Sequence, residues 1–407
     1  MLLRLLLVLT ICGGLFHLGG LSVRHLGIIG FYLYVPMLIV FNLLKDRRVR
    51  ILPLFFILSL IIFCLCSLIL IKGITDVGLF ERYFSLSIVG LLSFGLITTF
   101  NLFSSVDLEK LVVDVTIVVI VFAVINLTII AVFPKPFVVI ALLTNSPVED
   151  FVRLYDRILM PFGHPAQLGL VAASSALAIL SFEKTPFRQF LVLFSLITVL
   201  GTFANSIFIP CFLIGLAAYL RKIIQHPIAI TYFVFFGGLF SLLLLIAPYQ
   251  ALSIPGRDMA NIAESASRHL ILRIQTLGEI SEFGLTEMLV GVGAGQSRYF
   301  IDGSYSFTVI LTQMFEGGIL LVLIQIMYFL ILAKLCGTFN SWAVWWLVFM
   351  ASFFYQINND ISFYIYPLIC ILAIERTHGK NPSKSGKSKG RRPQKYISAI
   401  SSGSNKI

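Results

Sequence analysis

The chain has 407 residues, of which 58% are hydrophobic and 12% charged, with a formal net charge of +11 and a mean hydropathy of +0.97. Soluble domains carry roughly a quarter of their residues as charges, so this composition excludes a water-soluble globular protein. Apolar runs of about 20 residues recur from end to end, long enough for helices to cross a bilayer and without the alternation a membrane barrel requires.

The first expected span covers residues 3–21. Its start, "MLLRLLLVLTICGG", has the outline of a signal peptide, with Arg4 ahead of an apolar run. No small-x-small cleavage site follows, and Ile11 before Cys12 makes a poor lipoprotein box, so the segment reads as a retained helix. Hydropathy then places spans near 27–44, 51–71, 84–103, 111–133, 162–182, 190–204, 207–220, 228–248, 307–333, 341–357 and 361–375, about twelve in all. Within the fifth, Asp114 and Asn126 are polar intruders of a kind that is rare inside membranes. The seventh and eighth are short and hinge at "FANS", so they read as a hairpin that need not cross fully. The tenth opens with "SYSFTVILTQMFEGG", read as lying along the surface until Gly317 and Gly318 turn it inward.

Lysine and arginine set the orientation. With the N-terminus inside, 20 of the 30 basic residues fall in inner segments. They include Arg4, Lys110, Lys184, Arg188, Lys334 and the tail from Arg376 onward. Both termini are thus expected to be cytoplasmic. Residues 1–375 form the membrane domain, and residues 376–407 form a basic tail with no acidic residue, which reads as disordered and attracted to anionic lipid. The six cysteines lack CxxC spacing and sit in or beside apolar runs, the pattern of small packing residues.

Two outer loops, about residues 134–161 and 249–306, are too long to be mere connections. The first carries Arg153 and Arg157. The second carries Arg257, Arg268, Arg273 and Arg298 and no lysine, together with Glu264 and Asp302. Arginine without lysine suits sites where a planar, permanently charged fork holds phosphate or carboxylate oxygens. If 265–278 is a helix, Arg273 lies four residues after His269 and shares its face, while Arg268 is four residues after Glu264 and is placed for a simple ion pair. "GVGAG" at Gly291–Gly295 follows no strand and is not GxGxxG; it reads as a turn that lets backbone approach a ligand. No HExxH, paired CxxC, GxSxG or DxD is present, so no metal and no cofactor are expected. His164 in "PFGHPAQLG" reads either as a helix-start residue ahead of Pro165 or as a substrate contact.

Three stretches carry a resemblance to the O-antigen polymerase (Wzy) family, within the O-antigen ligase/polymerase superfamily. "FGHPAQLGLVAASSALAIL" resembles that family's start of a mid-chain span. "SRHLILRIQTLGEI…MLVGVGAGQS" resembles its arginine-bearing helix followed by a glycine-rich turn. "SYSFTVILTQMFEGGILLVLIQ" resembles its final loop helix running through a Gly-Gly turn into a span. The ligase branch has a histidine near the start of that last helix, where this chain has Asp302, Ser304, Tyr305 and Ser306.

The resemblance implies an all-α, polytopic, GT-C-like protein of the bacterial inner membrane. It implies polymerisation of undecaprenyl-pyrophosphate-linked repeat units on the periplasmic face, without metal. Arg268 and Arg273 would hold the lipid pyrophosphate, supported by Arg257, Arg298, Arg153, Arg157 and His164; His269, Glu264 and Asp302 would be the candidate bases. Its partners would be the lipid-linked glycan, membrane lipid, and the chain-length regulator and flippase of the same pathway, with no nucleic acid. The alternatives are a ligase-type glycan transferase and a lipid-linked oligosaccharide flippase or other transporter. The orientation is open to direct test: a reporter fused at Gly379 is expected in the cytoplasm, and a cysteine at position 259 should react with a membrane-impermeant reagent from the periplasm. Protection of that cysteine would overturn the orientation.

Overall fold

The computed structural model describes residues 2–14, 16–18, 21–24, 26–30, 33–34, 37, 107–144, 158–162, 164–183, 185–202, 204–220, 275–293, 309–354 and 361–379. Over these the chain is helical: α1 (Leu2–Cys12), α2 (Leu108–Val132), α3 (Pro136–Thr144), α4 (Pro165–Ile179), α5 (Arg188–Gly201), α6 (Asn205–Leu220), α7 (Leu285–Val290), α8 (Val309–Leu335), α9 (Phe339–Phe354) and α10 (Ile361–Gly379). The exception is a small antiparallel ladder of β1 (His17–Leu18) and β2 (Leu21–Ser22), with His17 opposite Ser22. The expected spans at 51–71, 84–103 and 228–248 lie outside the described residues.

Helix boundaries follow local chemistry. Asp107 starts α2 by accepting the Lys110 N–H at 3.3 Å, and Pro134, which disfavours helix at the residue before it, follows its last residues. His164 starts α4 with Pro165 in the first position, where its missing N–H is no loss. The first helix departs from expectation: it ends at Cys12 rather than running to residue 21. Gly13 closes the last turn onto the Leu9 carbonyl at 2.8 Å, and the chain reverses through the β1–β2 ladder. Arg24 returns to the end of α1, where its Nη2 donates to the Ile11 carbonyl at 3.4 Å. A cation suits the carbonyl end of a helix.

The bundle centres on α4, in which every residue but Gln167 and Leu177 is buried. Its alanines, serines and Gly169 let α2, α5, α6, α9 and α10 approach closely, as small residues do between membrane helices. A Cβ on Gly169 would stand 3.2 Å from Thr202 Oγ1. Outside this core, α2 exposes Ile117, Val121, Val124 and Leu127, and α5 exposes Phe190, Leu193, Leu196 and Leu200. By itself α2 is long and apolar enough to cross a bilayer; the two pieces of α8 pass the same test only when taken together. Helices α5 and α6 meet at residues 202–204 as the sequence predicts, but they barely touch. Instead α5 lies on α4 and α2, and α6 lies on α9 and α4.

Polar contacts sort the helix ends. At one end Arg4 pairs with Asp114, Nε to Oδ2 at 2.7 Å. The Thr377 hydroxyl there donates to Glu109 at 3.0 Å, Asn340 donates to the Ser181 hydroxyl at 2.7 Å, and the Arg188 guanidinium donates to the Leu180 carbonyl. Glu375 closes the same end by accepting from the Gly337 and Thr338 N–H groups at 2.9 and 2.8 Å and from the Thr338 and Ser341 hydroxyls at 3.0 and 2.6 Å. All of these bonds converge on one carboxylate oxygen at the start of α9. Beside it, burial, and after it the Glu375 charge, push the Cys336 thiol well above its ordinary pKa, which disfavours the thiolate.

Glu375→Ala would strand two backbone N–H groups and remove a charge matched to a helix N-terminus, a loss of about 2–3 kcal/mol. A clearly lower thermal midpoint of the purified protein is expected, with Glu375→Gln between wild type and Glu375→Ala. Equal midpoints for all three would show that this contact contributes nothing.

Candidate functional site

The segment that follows Arg268 and Arg273 is seated on α8. It is helical over 275–281, continues through α7 and ends at Gly291. From there Val292 N–H donates to the Phe315 carbonyl and Gly293 N–H to the Glu316 carbonyl, both at 3.0 Å. Those acceptors are available because α8 is not continuous: Gly318 has φ 63° and ψ −165°. A break at that point leaves the carbonyls one turn earlier without their intrahelical N–H partners, and buried carbonyls require replacements.

The crossing is built on missing side chains. A Cβ on Gly291, whose φ is +71°, would lie 2.3 Å from the Glu316 carbonyl, and one on Gly318 would lie 2.4 Å from the Leu289 carbonyl. Phe283 packs edge-on against Phe315 with ring centroids 5.1 Å apart, and Ile280 is buried in the same cluster. The described part of "GVGAG" therefore brings backbone against backbone, where the sequence reading has backbone approaching a ligand. Within the described part of the segment ahead of Gly317, Thr312, Gln313, Phe315 and Glu316 are all buried against the rest of the protein.

The break also brings together side chains that a straight helix would keep apart. Gln313 Nε2 donates to Gln325 Oε1 at 2.9 Å. Twelve residues of unbroken helix would separate their backbones by about 18 Å, farther than two glutamine side chains reach. Tyr364, in the first turn of α10, completes a triad: its hydroxyl lies 3.2 Å from Gln313 Nε2 and donates to Gln325 Oε1 at 3.2 Å. Tyr328 stacks edge-on against Tyr364, with centroids 5.2 Å apart. The exposures of Gln313 and Gln325 are 3% and 1%, yet Gln313 Oε1 and Gln325 Nε2 have no hydrogen-bond partner.

Of the residues singled out in the sequence, Arg153, Arg157, Arg257, Glu264, Arg268, His269, Arg273, Arg298 and Asp302 lie outside the described residues. His164 is described, and it does what a helix-start residue does: its Nδ1 accepts the Ala166 N–H at 3.2 Å. Both polar intruders of α2 have partners as well. Asp114 pairs with Arg4, and Asn126 Oδ1 accepts the Leu159 and Met160 N–H groups at 3.0 and 3.1 Å, holding the turn that precedes α4. The residues missed in the sequence are Thr312, Gln313, Glu316, Gln325 and Tyr364. The available signal was "TQMFEGG" itself, three polar side chains just ahead of a glycine pair in an otherwise apolar run. No protein-family model matches this chain, and no curated protein does either.

Gly318→Ala puts a methyl group into the Leu289 carbonyl at a backbone conformation that L-residues rarely adopt. A folded yield far below wild type is expected, because both the clash and the strain act together. Gly278→Ala is the control, since a Cβ there meets nothing within 4 Å. Equal yields and thermal midpoints for the two variants would mean that the crossing does not hold the site.

Proposed function

We propose that the chain is a polytopic inner-membrane glycosyltransferase. It polymerises undecaprenyl-pyrophosphate-linked oligosaccharide repeat units into O-antigen or a related surface polysaccharide on the periplasmic face, with both termini in the cytoplasm. Three observations support it. The apolar outer surface of α2 and α5 suits lipid and not water. Arg4, Lys110, Arg188, Lys334 and Arg376, the described members of the inner basic set, belong to the end that carries Glu375, whereas Arg24 and Lys135 belong to the other; in the proposed orientation the first end is the cytoplasmic one. The observation that carries the reading is the crossing: the stretch directly behind Arg268 and Arg273 is pinned onto a broken helix whose buried face is polar.

The reaction is a displacement at an anomeric carbon. The bond from that carbon to the lipid pyrophosphate oxygen breaks, a hydroxyl oxygen of the incoming repeat unit forms the new glycosidic bond, and its proton passes to a base. His269, Glu264 and Asp302 are the candidates for that base. The negative charge that grows on the leaving pyrophosphate needs fixed positive groups, a role assigned here to Arg268 and Arg273. A transporter is the second reading, because a discontinuous helix with buried polar groups is a transporter feature. Against it, Tyr364 is in the first turn of α10, far from the middle of that helix.

Arg268→Ala or Arg273→Ala should each lower polymerisation about 10²–10³-fold with the protein still present in the membrane. Lysine should rescue position 273 only in part, since it lacks the guanidinium fork. A surface ion pair between Arg268 and Glu264 would be worth at most about 1 kcal/mol, and Arg268→Ala and Glu264→Ala would then both be nearly silent. Gene deletion separates the classes. Single capped repeat units support a polymerase, bare lipid core supports a ligase, and repeats held at the cytoplasmic face support a flippase.

A further inference from the structure

We propose that the Gln313–Gln325–Tyr364 triad is a recognition site for one uncharged hydroxyl group, taken from a carbohydrate of the lipid-linked substrate or from water. The carbohydrate source rests on the polymerase reading; the site itself does not. Two amides and a phenol share three hydrogen bonds: Gln313 to Gln325, Gln313 with Tyr364, and Tyr364 to Gln325. As the amides are oriented, one acceptor, Gln313 Oε1, and one donor group, Gln325 Nε2, are left over.

That remainder does not depend on how the amides are turned. Rotating both by half a turn reverses the direction of the amide–amide bond and leaves the Gln313 NH₂ and the Gln325 carbonyl instead. Rotating only one sets oxygen against oxygen or NH₂ against NH₂. Every allowed arrangement therefore leaves one donor and one acceptor, both on side chains that are almost fully buried.

The pair selects its ligand by elimination. A cation is repelled by the free NH₂ group, and an anion by the free carbonyl. A hydroxyl is neutral and is both donor and acceptor, so it is suited to meet either group. Leaving either group unmet in an apolar bundle would cost its full desolvation. A carbohydrate presents several such hydroxyls, and sites built to hydrogen-bond one discriminate strongly against analogues that lack it. The triad depends on the departure of this helix from straightness, at Gly318 and in the 50° bend between Leu323 and Gln325, and the crossing of residues 291–293 lies at the first of these.

The test uses the full chain in lipid nanodiscs, imaged by cryo-electron microscopy at a resolution that shows ordered water. Density within hydrogen-bond distance of both the Gln313 and Gln325 amides is expected in the wild type. It should be lost in Gln313→Leu/Gln325→Leu, which also leaves the buried Tyr364 hydroxyl without its two glutamine partners, so a lower thermal midpoint accompanies the loss. Absence of that density in the wild type, or amides swung onto other protein groups, would overturn the proposal whether or not the chain polymerises glycan. The source is read in cells carrying the double variant. At least a tenfold loss of polymer at normal protein level identifies a sugar hydroxyl, whereas unchanged polymer identifies bound water. A wild-type chain that makes no polymer would remove the polymerase reading and leave the density to decide this one. Should the double variant fail to accumulate, Tyr364→Phe, which keeps the ring and removes only the hydroxyl, provides the second measurement.

Discussion

Inside an apolar bundle a backbone carbonyl that loses its helical partner must find another donor, because no bulk water is at hand. Breaking α8 at Gly318 creates this need at Phe315 and Glu316, and Val292 and Gly293 meet it. Their N–H groups arrive only because Gly291 and Gly318 carry no Cβ, each standing where a methyl group would overlap a carbonyl. Much else follows from that contact. The break turns Gln313 toward Gln325, their bond recruits Tyr364 from α10, and Tyr328 packs against Tyr364. A crossing of two backbones thus fixes the positions of side chains from two further turns of helix.

The opposite end of the bundle is organised by charge. Arg4 with Asp114, Thr377 with Glu109, and Glu375 at the start of α9 join α1, α2, α8, α9 and α10. These groups are paired locally and lie near helix termini, where a carboxylate faces exposed N–H groups and its burial is least costly. Their work is to hold the ends of the helices in register.

Much of the architecture was legible in the sequence wherever local chemistry decides it. Helix α2 occupies Leu108–Val132 against an expected 111–133 because Asp107 caps one end and Pro134 follows the other. Helix α4 begins where Pro165 permits, and the glycine pair at 317–318 does mark a break. The failures come where hydropathy averages away direction. Residues 3–21 are apolar on average, yet Gly13 and the β1–β2 ladder reverse the chain after Cys12. Gln313 and Gln325 vanish into the mean of a strongly apolar run. They meet only because the helix between them is broken, and no window of sequence contains that geometry. Asn126 and Asp114 were visible as polar intruders but their partners were not, being 33 and more residues away for Asn126 and on a separate helix for Asp114.

The two ends differ in the kind of polarity they bury. At the Glu375 end it is ionic and matched by local partners. Toward the other end it is carried by neutral amides that are only partly used: Gln313 and Gln325 in the triad, and Asn126, whose Oδ1 takes two N–H groups while its Nδ2 has no partner. Neutral amides are far cheaper to bury than ions, and one left half-satisfied costs a protein less than an unpaired charge. They also read hydroxyl groups without attracting counter-ions. The carboxylate-centred contacts at one end and the incompletely bonded amides away from it divide the labour accordingly, although Arg24 and Glu316 are also buried outside the Glu375 cluster. The first end sets helix register, and the second retains hydrogen-bonding capacity for an uncharged, hydroxyl-bearing ligand.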